Sequence, residues 1–486
     1  MKNRKGRRSR NKETRNEAAA GNGDRISKLP DDILLNILER MDTLDALRIC
    51  ILSKRMLKLP TMLSQIAVNI GNLAARVDTC AFGIREVVRI NGAVVDVLEN
   101  ILSTRRPEIT IRKLHARFVL RHYDCLSIGK SFARAMATQK VEKAEIEIMA
   151  EKSNKDCASA DLIRFAKLFN TFLGACPDAF AGLTRLWLQN MRFGEEDIPN
   201  MLSTCKRLES LRFSFCDTGI CSRLKLQHDQ LVELEIDYGH FEIIDLSCLP
   251  KLQRVSYNNW FPYEDHPLSF GFVPRLSKIS LYKTGVCSDR ALVLSRLLAT
   301  FLSLSELHLD FRSEKIWVLP ECPKLLVPLL GKLRLVNLDN LPEGCDIAWT
   351  MFILEAAPSL KELCITVWDH CMEIDKERRK ARGLCDKANV EWKPSASDFK
   401  HKNLAKLTIY GFLPDDNFMR YIRRVLEAAV NIKEISLHNK KVCEDCSGLD
   451  PKINVCSARY PQSDEERKHV MKELGMSWQD VIHFQS

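Results

Sequence analysis

Leu304-Ser305-Glu306-Leu307-His308-Leu309 is the stretch whose reading decides the fold. Three apolar residues stand at positions one, four and six, and the last two flank a single polar residue. That alternation has the period of a strand with one face turned inward. Working outward, the same spacing recurs upstream at Leu276-Ile279-Leu281, Leu252-Val255-Tyr257, Leu231-Leu234-Ile236, Leu208-Leu211-Phe213 and Leu183-Leu186-Leu188. Downstream it continues at Leu333-Val336-Leu338, Leu360-Leu363-Ile365, Leu404-Leu407-Ile409 and Ile432-Ile435-Leu437. Weaker copies lie at Ile111-Leu114 and Val141-Ile146-Ile148. Successive starts are 21 to 29 residues apart, with one gap of 44. A unit of that size cannot bury its own apolar face, so stacked units must share one core. The result is an α/β solenoid with parallel strands on its inner wall and helical or irregular returns. Pro199-Asn200-Met201-Leu202 and Asp289 to Leu294 read as such returns, and the uneven spacing predicts uneven curvature.

These spacings fall where leucine-rich repeats do. The residue between the last two apolar positions points away from the core. Down the array it reads Trp187, Arg212, Glu235, Ser256, Ser280, His308, Asn337, Cys364, Thr408 and Ser436, a column lining the concave wall. Trp187, Arg212, Glu235, Tyr282 and His308 are the candidate target-binding residues, because aromatic and arginine side chains supply most anchoring energy at interfaces. Taken singly, each reads first as a solvated outward residue, and it is the wall as a whole that reads as a binding surface. The long gap holds a charged insertion at about 375–402, read as a surface loop with some helix. Phe418, Tyr421, Ile422, Val425, Leu426 and Ala429 mark an amphipathic helix. Ser463 to Glu466 reads as a capping box, and Gly475 as a helix stop.

The amino-terminal region has another character. In Leu29-Pro30-Asp31-Asp32-Ile33-Leu34-Leu35-Asn36-Ile37-Leu38-Glu39-Arg40-Met41 the apolar residues at 33, 34, 37, 38 and 41 form one broad helical face. Pro30 suits a first helical turn, and Asp31 and Asp32 face the positive end of its dipole. Thr43 can cap a second helix carrying Leu44, Leu47, Ile51 and Leu52, which stops before Pro60. So small a helical unit cannot bury all these side chains. The surplus must meet the next domain or another protein.

This region resembles an F-box, on Leu29-Pro30-Asp31-Asp32-Ile33-Leu34, the Ile37-Leu38 pair, Leu44, Leu47 and Leu52-Ser53-Lys54-Arg55. It departs from the family pattern where Trp is usual after Ser-Lys-Arg, since Met56-Leu57 stands there instead. The order of F-box, repeats and an end bearing Lys402-Asn403-Leu404, His438, Cys443 and Arg459-Tyr460-Pro461 is similar to plant F-box/LRR proteins with a C-terminal FBD-type region. The expected parts are a disordered basic tail (1–23), the F-box (24–70), the solenoid (71–399), and an FBD-like repeat and cap (400–486).

The chain of 486 residues is 45% hydrophobic and 28% charged, which excludes collagen, a coiled-coil rod and a wholly disordered chain. Its net charge of +10 is mostly local: residues 1–23 carry eight basic and two acidic side chains. The rest is close to balanced, which disfavours nucleic-acid binding by the body. The cluster Arg4 to Arg10 reads either as a nuclear import signal or as a solubilising tail. No membrane span and no signal peptide are expected. The 18 cysteines are scattered, and Cys50, Cys205, Cys248 and Cys364 read as buried reduced thiols. The location implied is the nucleus or the cytoplasm. Cys443 and Cys446, with Cys456 and His438 nearby, have ligand types that suit zinc, but one CxxC without a second half equally suits packed thiols. Gly-rich phosphate loops, His-Glu-x-x-His and Gly-x-Ser-x-Gly are absent, so neither catalysis nor a cofactor is expected.

The F-box resemblance implies docking on a Skp-family adaptor, and through it a cullin scaffold, with Leu29, Pro30, Ile33, Leu34, Leu47 and Leu52 as the buried or docking apolar set. The solenoid would then hold a target protein, not named by the sequence, for ubiquitination. The alternative is an interaction scaffold whose F-box has lost adaptor coupling, favoured only by Met56-Leu57.

Overall fold

The computed structural model describes residues 29–51, 53–69, 83–219, 222–260, 266–283, 291–301, 303–313, 315–367, 392, 399–439, 460–475 and 478–485. The chain divides into two compact units, one comprising the described residues up to Asp156 with Leu168–Arg185, the other Cys157–Lys167 with the described residues from Leu186 onward.

The first unit opens with helices α1 (Asp31–Leu38) and α2 (Thr43–Ile51) and a 3₁₀ turn (Met56–Met62). Leu34, Leu38, Ala46, Cys50, Met56, Leu59 and Leu63 form their core, with Leu29, Leu35 and Ile49 packed on it. Met56 is fully enclosed there and fills apolar space as Trp would. Three local readings need correction. Pro30 precedes α1 in an extended conformation instead of opening its first turn. Asp42, not Thr43, closes the start of α2: its carboxylate accepts from the Leu44 amide at 2.9 Å. Thr43 is buried, and its hydroxyl accepts from the Ala67 amide at 2.8 Å. Pro60 lies inside the 3₁₀ turn with its ring buried, because so short a run loses little by one missing N–H.

The same unit contains parallel strands β1 (Gln65–Asn69), β2 (Ile111–Val119) and β3 (Val141–Met149), paired in that order. Helices α3 (Ile84–Thr104) and α4 (His122–Thr138) return between them. One carboxylate fastens the F-box helices to these strands. Glu39 accepts from the Ser64 amide (2.8 Å), the Ser64 hydroxyl (2.6 Å) and Arg112 Nη2 (2.7 Å). Burial alone would push the Glu39 carboxyl up, but hydrogen bonds from Ser64 and the Arg112 charge outweigh it and hold it below the usual carboxylate range. A depressed folded pKa means the clasp stabilises above the unfolded carboxyl's pKa and is lost as pH falls through the folded value. Glu39→Gln should therefore cost about 1–2 kcal/mol at neutral pH. In urea titrations the gap from wild type should close as pH falls below the ordinary glutamate value. A gap unchanged in acid would contradict the clasp.

Helix α5 (Ser159–Ala175) carries the chain across the division between the units. The second unit is the long repeat array. Its strands are β4 (Arg185–Gln189), β5 (Ser210–Ser214), β6 (Ser222–Gln227), β7 (Glu233–Asp237), β8 (Phe241–Cys248), β9 (Arg254–Trp260) and β10 (Leu268–Phe272). They continue with β11 (Lys278–Lys283), β12 (Glu306–Asp310), β13 (Leu335–Leu341), β14 (Glu362–Val367), β15 (Lys406–Tyr410), β16 (Glu434–His438) and β17 (Ile482–Gln485). The main sheet runs β4-β5-β7-β9-β11-β12-β13-β14-β15-β16-β17. Arg212, Glu235, Ser256, Ser280, His308, Asn337, Cys364, Thr408 and Ser436 stand side by side in register. This is the parallel α/β leucine-rich-repeat fold that the spacing predicts. Every leading and inward apolar residue in it is buried, from Leu186 and Leu188 to Ile435 and Leu437.

Helical returns include α6 (Asp197–Thr204) and α7 (Asp416–Ala428), the latter burying Phe418, Tyr421, Ile422, Val425 and Leu426. Helix α8 (Asp464–Leu474) starts in the Ser463–Glu466 capping box and ends at Gly475. A second, three-stranded parallel sheet, β10-β8-β6, was not legible as a repeat. Its strands carry only the alternating half of the motif, as in Leu224-Lys225-Leu226. Cys50 and Cys205 are buried, but Cys248 and Cys364 are half-exposed. Cys364 stands in the outward column, where strand alternation turns it away from the core. Residues 1–28 and the insertion, apart from Trp392 and residues 399–402, lie outside the described residues.

Candidate functional site

Two surfaces carry the functional question. The first is the outer side of the F-box helices. An eight-residue helix with Ile33 and Ile37 one turn apart, and Leu34 and Leu38 one turn apart, has two neighbouring apolar stripes. The core takes only the second: Leu34 and Leu38 are buried, whereas Ile33 and Ile37 are 45% and 42% exposed. Ile51 at the end of α2 is 70% exposed, and Leu57, beside the enclosed Met56, is 54% exposed. Four large apolar side chains are thus left in water on this small unit.

Of the six docking candidates, Ile33 and Pro30 are exposed, and Leu29 and Leu47 are half-buried. Leu34 belongs to the local core, and Leu52 lies outside the described residues. The sequence reading missed Ile37, Ile51 and Leu57 as exposed partners of Ile33. The i, i+4 relation of Ile33 and Ile37 was the available signal. Arg55 holds the entry of α1 by donating to Asp31 Oδ1 (2.6 Å) and the Leu29 carbonyl (2.9 Å).

The second surface is the inner wall of the repeat array. Trp187, Arg212 and Glu235, on adjacent strands, interlock. The Arg212 guanidinium lies 4.3 Å above the Trp187 ring and 3.4 Å from the Glu235 carboxylate. The Trp187 indole N–H donates to Ser214 Oγ at 2.8 Å. Tyr282 and His308 form a separate chain: the Tyr282 hydroxyl is 3.1 Å from His308 Nδ1, and His308 Nε2 is 2.7 Å from Asp339 Oδ2. Thr366 donates to the other Asp339 oxygen at 2.7 Å. Burial, then the charges of Asp310, Asp339 and Glu235, drive the Tyr282 pKa well above the usual phenol value. The hydroxyl therefore stays protonated at neutral pH, and it meets Nδ1 as a donor when the imidazole carries its single proton on Nε2 toward Asp339. The wall thus presents a rigid, prearranged polar surface instead of loose solvated side chains.

Two rim aromatics went unread. Phe215 and Tyr238 follow β5 and β7 with φ of 52° and 50°, and their rings stack at 4.7 Å. Bulky residues in the left-handed region carry strain, and here the result is an aromatic ledge beside the wall.

For metal, Cys443, Cys446 and Cys456 lie outside the described residues. His438 is half-buried and stacks on Tyr410 at 4.3 Å. Among the described residues no group of three His, Cys, Asp or Glu is arranged to hold a metal ion, and no helix is long and apolar enough to cross a membrane.

Comparison with known families matches two parts of the chain. Residues 26–64 match the F-box domain, and residues 159–472 match the family described as At1g61320/AtMIF1, LRR domain. No curated protein matches the chain.

Proposed function

We propose that the chain, which belongs to the At1g61320/AtMIF1 LRR-domain family and carries an F-box domain, is the substrate-recognition subunit of an SCF-type cullin-RING ubiquitin ligase. In this reading residues 24–70 dock on a Skp-family adaptor and, through it, a cullin. The repeat array of 71–399, extended and capped by 400–486, grips a target protein. The observation that carries the reading is the exposure of Ile33, Ile37, Ile51 and Leu57 on the F-box unit. Such side chains cost free energy in water unless a partner covers them. In this reading the chain performs no bond chemistry itself. Its contribution is to raise the effective concentration of a target lysine near the ubiquitin thioester.

The scaffold alternative rested on Met56-Leu57, of which Met56 packs into the F-box core and Leu57 is exposed. Affinity capture of the full chain tests the proposal. Adaptor and cullin should come down together, and a variant lacking residues 24–70 should recover neither. Capture of neither by the intact chain would leave the scaffold reading.

A further inference from the structure

At the amino-terminal edge of the repeat strands, the turn before each strand is fixed by a backbone ladder. The Ser305 carbonyl accepts from Arg334 and Leu335, the Arg334 carbonyl from Lys361 and Glu362, and the Lys361 carbonyl from Ala405 and Lys406. This holds Ser305, Arg334 and Lys361 at equivalent positions on adjacent repeats, about 4.8 Å apart. With Ser303, Lys332, Ser359 and Asn403 they line a groove of about 350 Å³ that contains no carboxylate.

Elsewhere on the strands, cations are neutralised by carboxylates across the ladder: Arg254 by Glu233 (3.1 Å), Lys278 by Glu306 (3.2 Å) and Lys406 by Glu434 (2.8 Å). Lys332, Arg334 and Lys361 are exposed and have no such partner among the described residues. The Ser303 and Ser305 hydroxyls already donate to the Leu276 and Ser277 carbonyls. The groove's recognition chemistry is therefore three cations without a carboxylate partner among the described residues, on backbones held by the ladder.

We infer that this groove binds an acidic segment of a partner polypeptide. The lining spans four repeats, about 14 Å at the strand spacing, which an extended chain covers in about four residues, and the three cations stand on its middle two repeats. Charge complementarity at those two repeats suits one or two neighbouring aspartate or glutamate side chains of an extended segment, with Ser303, Ser305 and Asn403 flanking them. The lining offers no aromatic platform on which nucleic-acid bases would stack. The inference rests on the reading of the repeat array as the recognition unit and names the chemistry of what it recognises.

The test titrates the full-length protein with a fluorescein-labelled oligoglutamate peptide by anisotropy at low salt, and measures adaptor binding on the same preparation. Binding is expected to weaken at least roughly tenfold in Arg334→Glu/Lys361→Glu, and severalfold as salt is raised. Lys278→Ala, whose lysine is already paired, should change it less than about twofold. The neutral pair Arg334→Gln/Lys361→Gln, which adds no repulsion, should also weaken it. No peptide binding, binding indifferent to both double variants, or equally tight binding of a single-stranded oligonucleotide overturns the inference. Peptide failure with intact adaptor binding sinks this site alone. Adaptor failure with intact peptide binding sinks the ligase reading alone.

Discussion

Ile33→Asp combined with Ile37→Asp should abolish capture of the Skp-family adaptor while leaving the protein folded. Both side chains are more than two-fifths exposed, so aspartate there meets water in the free protein. Each isoleucine is already more than half buried, so covering the rest at an interface contributes about 1 kcal/mol. Losing both comes to about thirtyfold in affinity before the larger cost of burying two carboxylates is added. Leu34→Asp, one residue away, should do the opposite in kind. Leu34 is 1% exposed in the F-box core, and an unpaired charge there should unfold the helices. Circular dichroism and adaptor titration on the two variants separate the cases. A folded Ile33→Asp/Ile37→Asp protein that binds adaptor like wild type would remove the docking face from the account.

The second large effect belongs to the repeat array. Gly411 follows β15 with φ of +75°, and a Cβ there would strike the Val367 carbonyl of the neighbouring repeat. Neither the left-handed backbone nor the strand beside it has room to give. Gly411→Ala should cost about 3 kcal/mol or more, joining strain to a backbone clash. Gly92, inside α3 with open space around its Cβ position, is the control. Gly92→Ala should stabilise by up to about 1 kcal/mol, since alanine is the better helix former. Urea midpoints read both, and equal effects would contradict the close approach at Gly411.

The main sheet was legible because Leu-x-x-Leu-x-Leu states its own register, and the structure aligns Arg212 through Ser436 as the spacing requires. The β6-β8-β10 sheet was not, because Leu224-Lys225-Leu226 lacks the leading leucine that announces a repeat. In the F-box helices the apolar set was visible, but which stripe faces inward was not. Ile33 and Leu34 are equally apolar, and only packing against Met56 and Leu59 separates them. The cap of α2 was misread by one residue because Asp42 and Thr43 can both cap, and Thr43 is claimed by the Ala67 amide from a distant strand. The edge groove shows the same limit. Arg334 and Lys361 are plain in the sequence, but whether a cation is paired depends on the repeat beside it.

Calorimetric titration of the purified full-length chain with a Skp-family adaptor tests the central claim most directly. Burial of Ile33, Ile37, Ile51 and Leu57 predicts a saturable one-to-one complex whose enthalpy becomes more negative on warming, the mark of apolar surface leaving water. No complex at tens of micromolar adaptor, or one with no heat-capacity change, would contradict it.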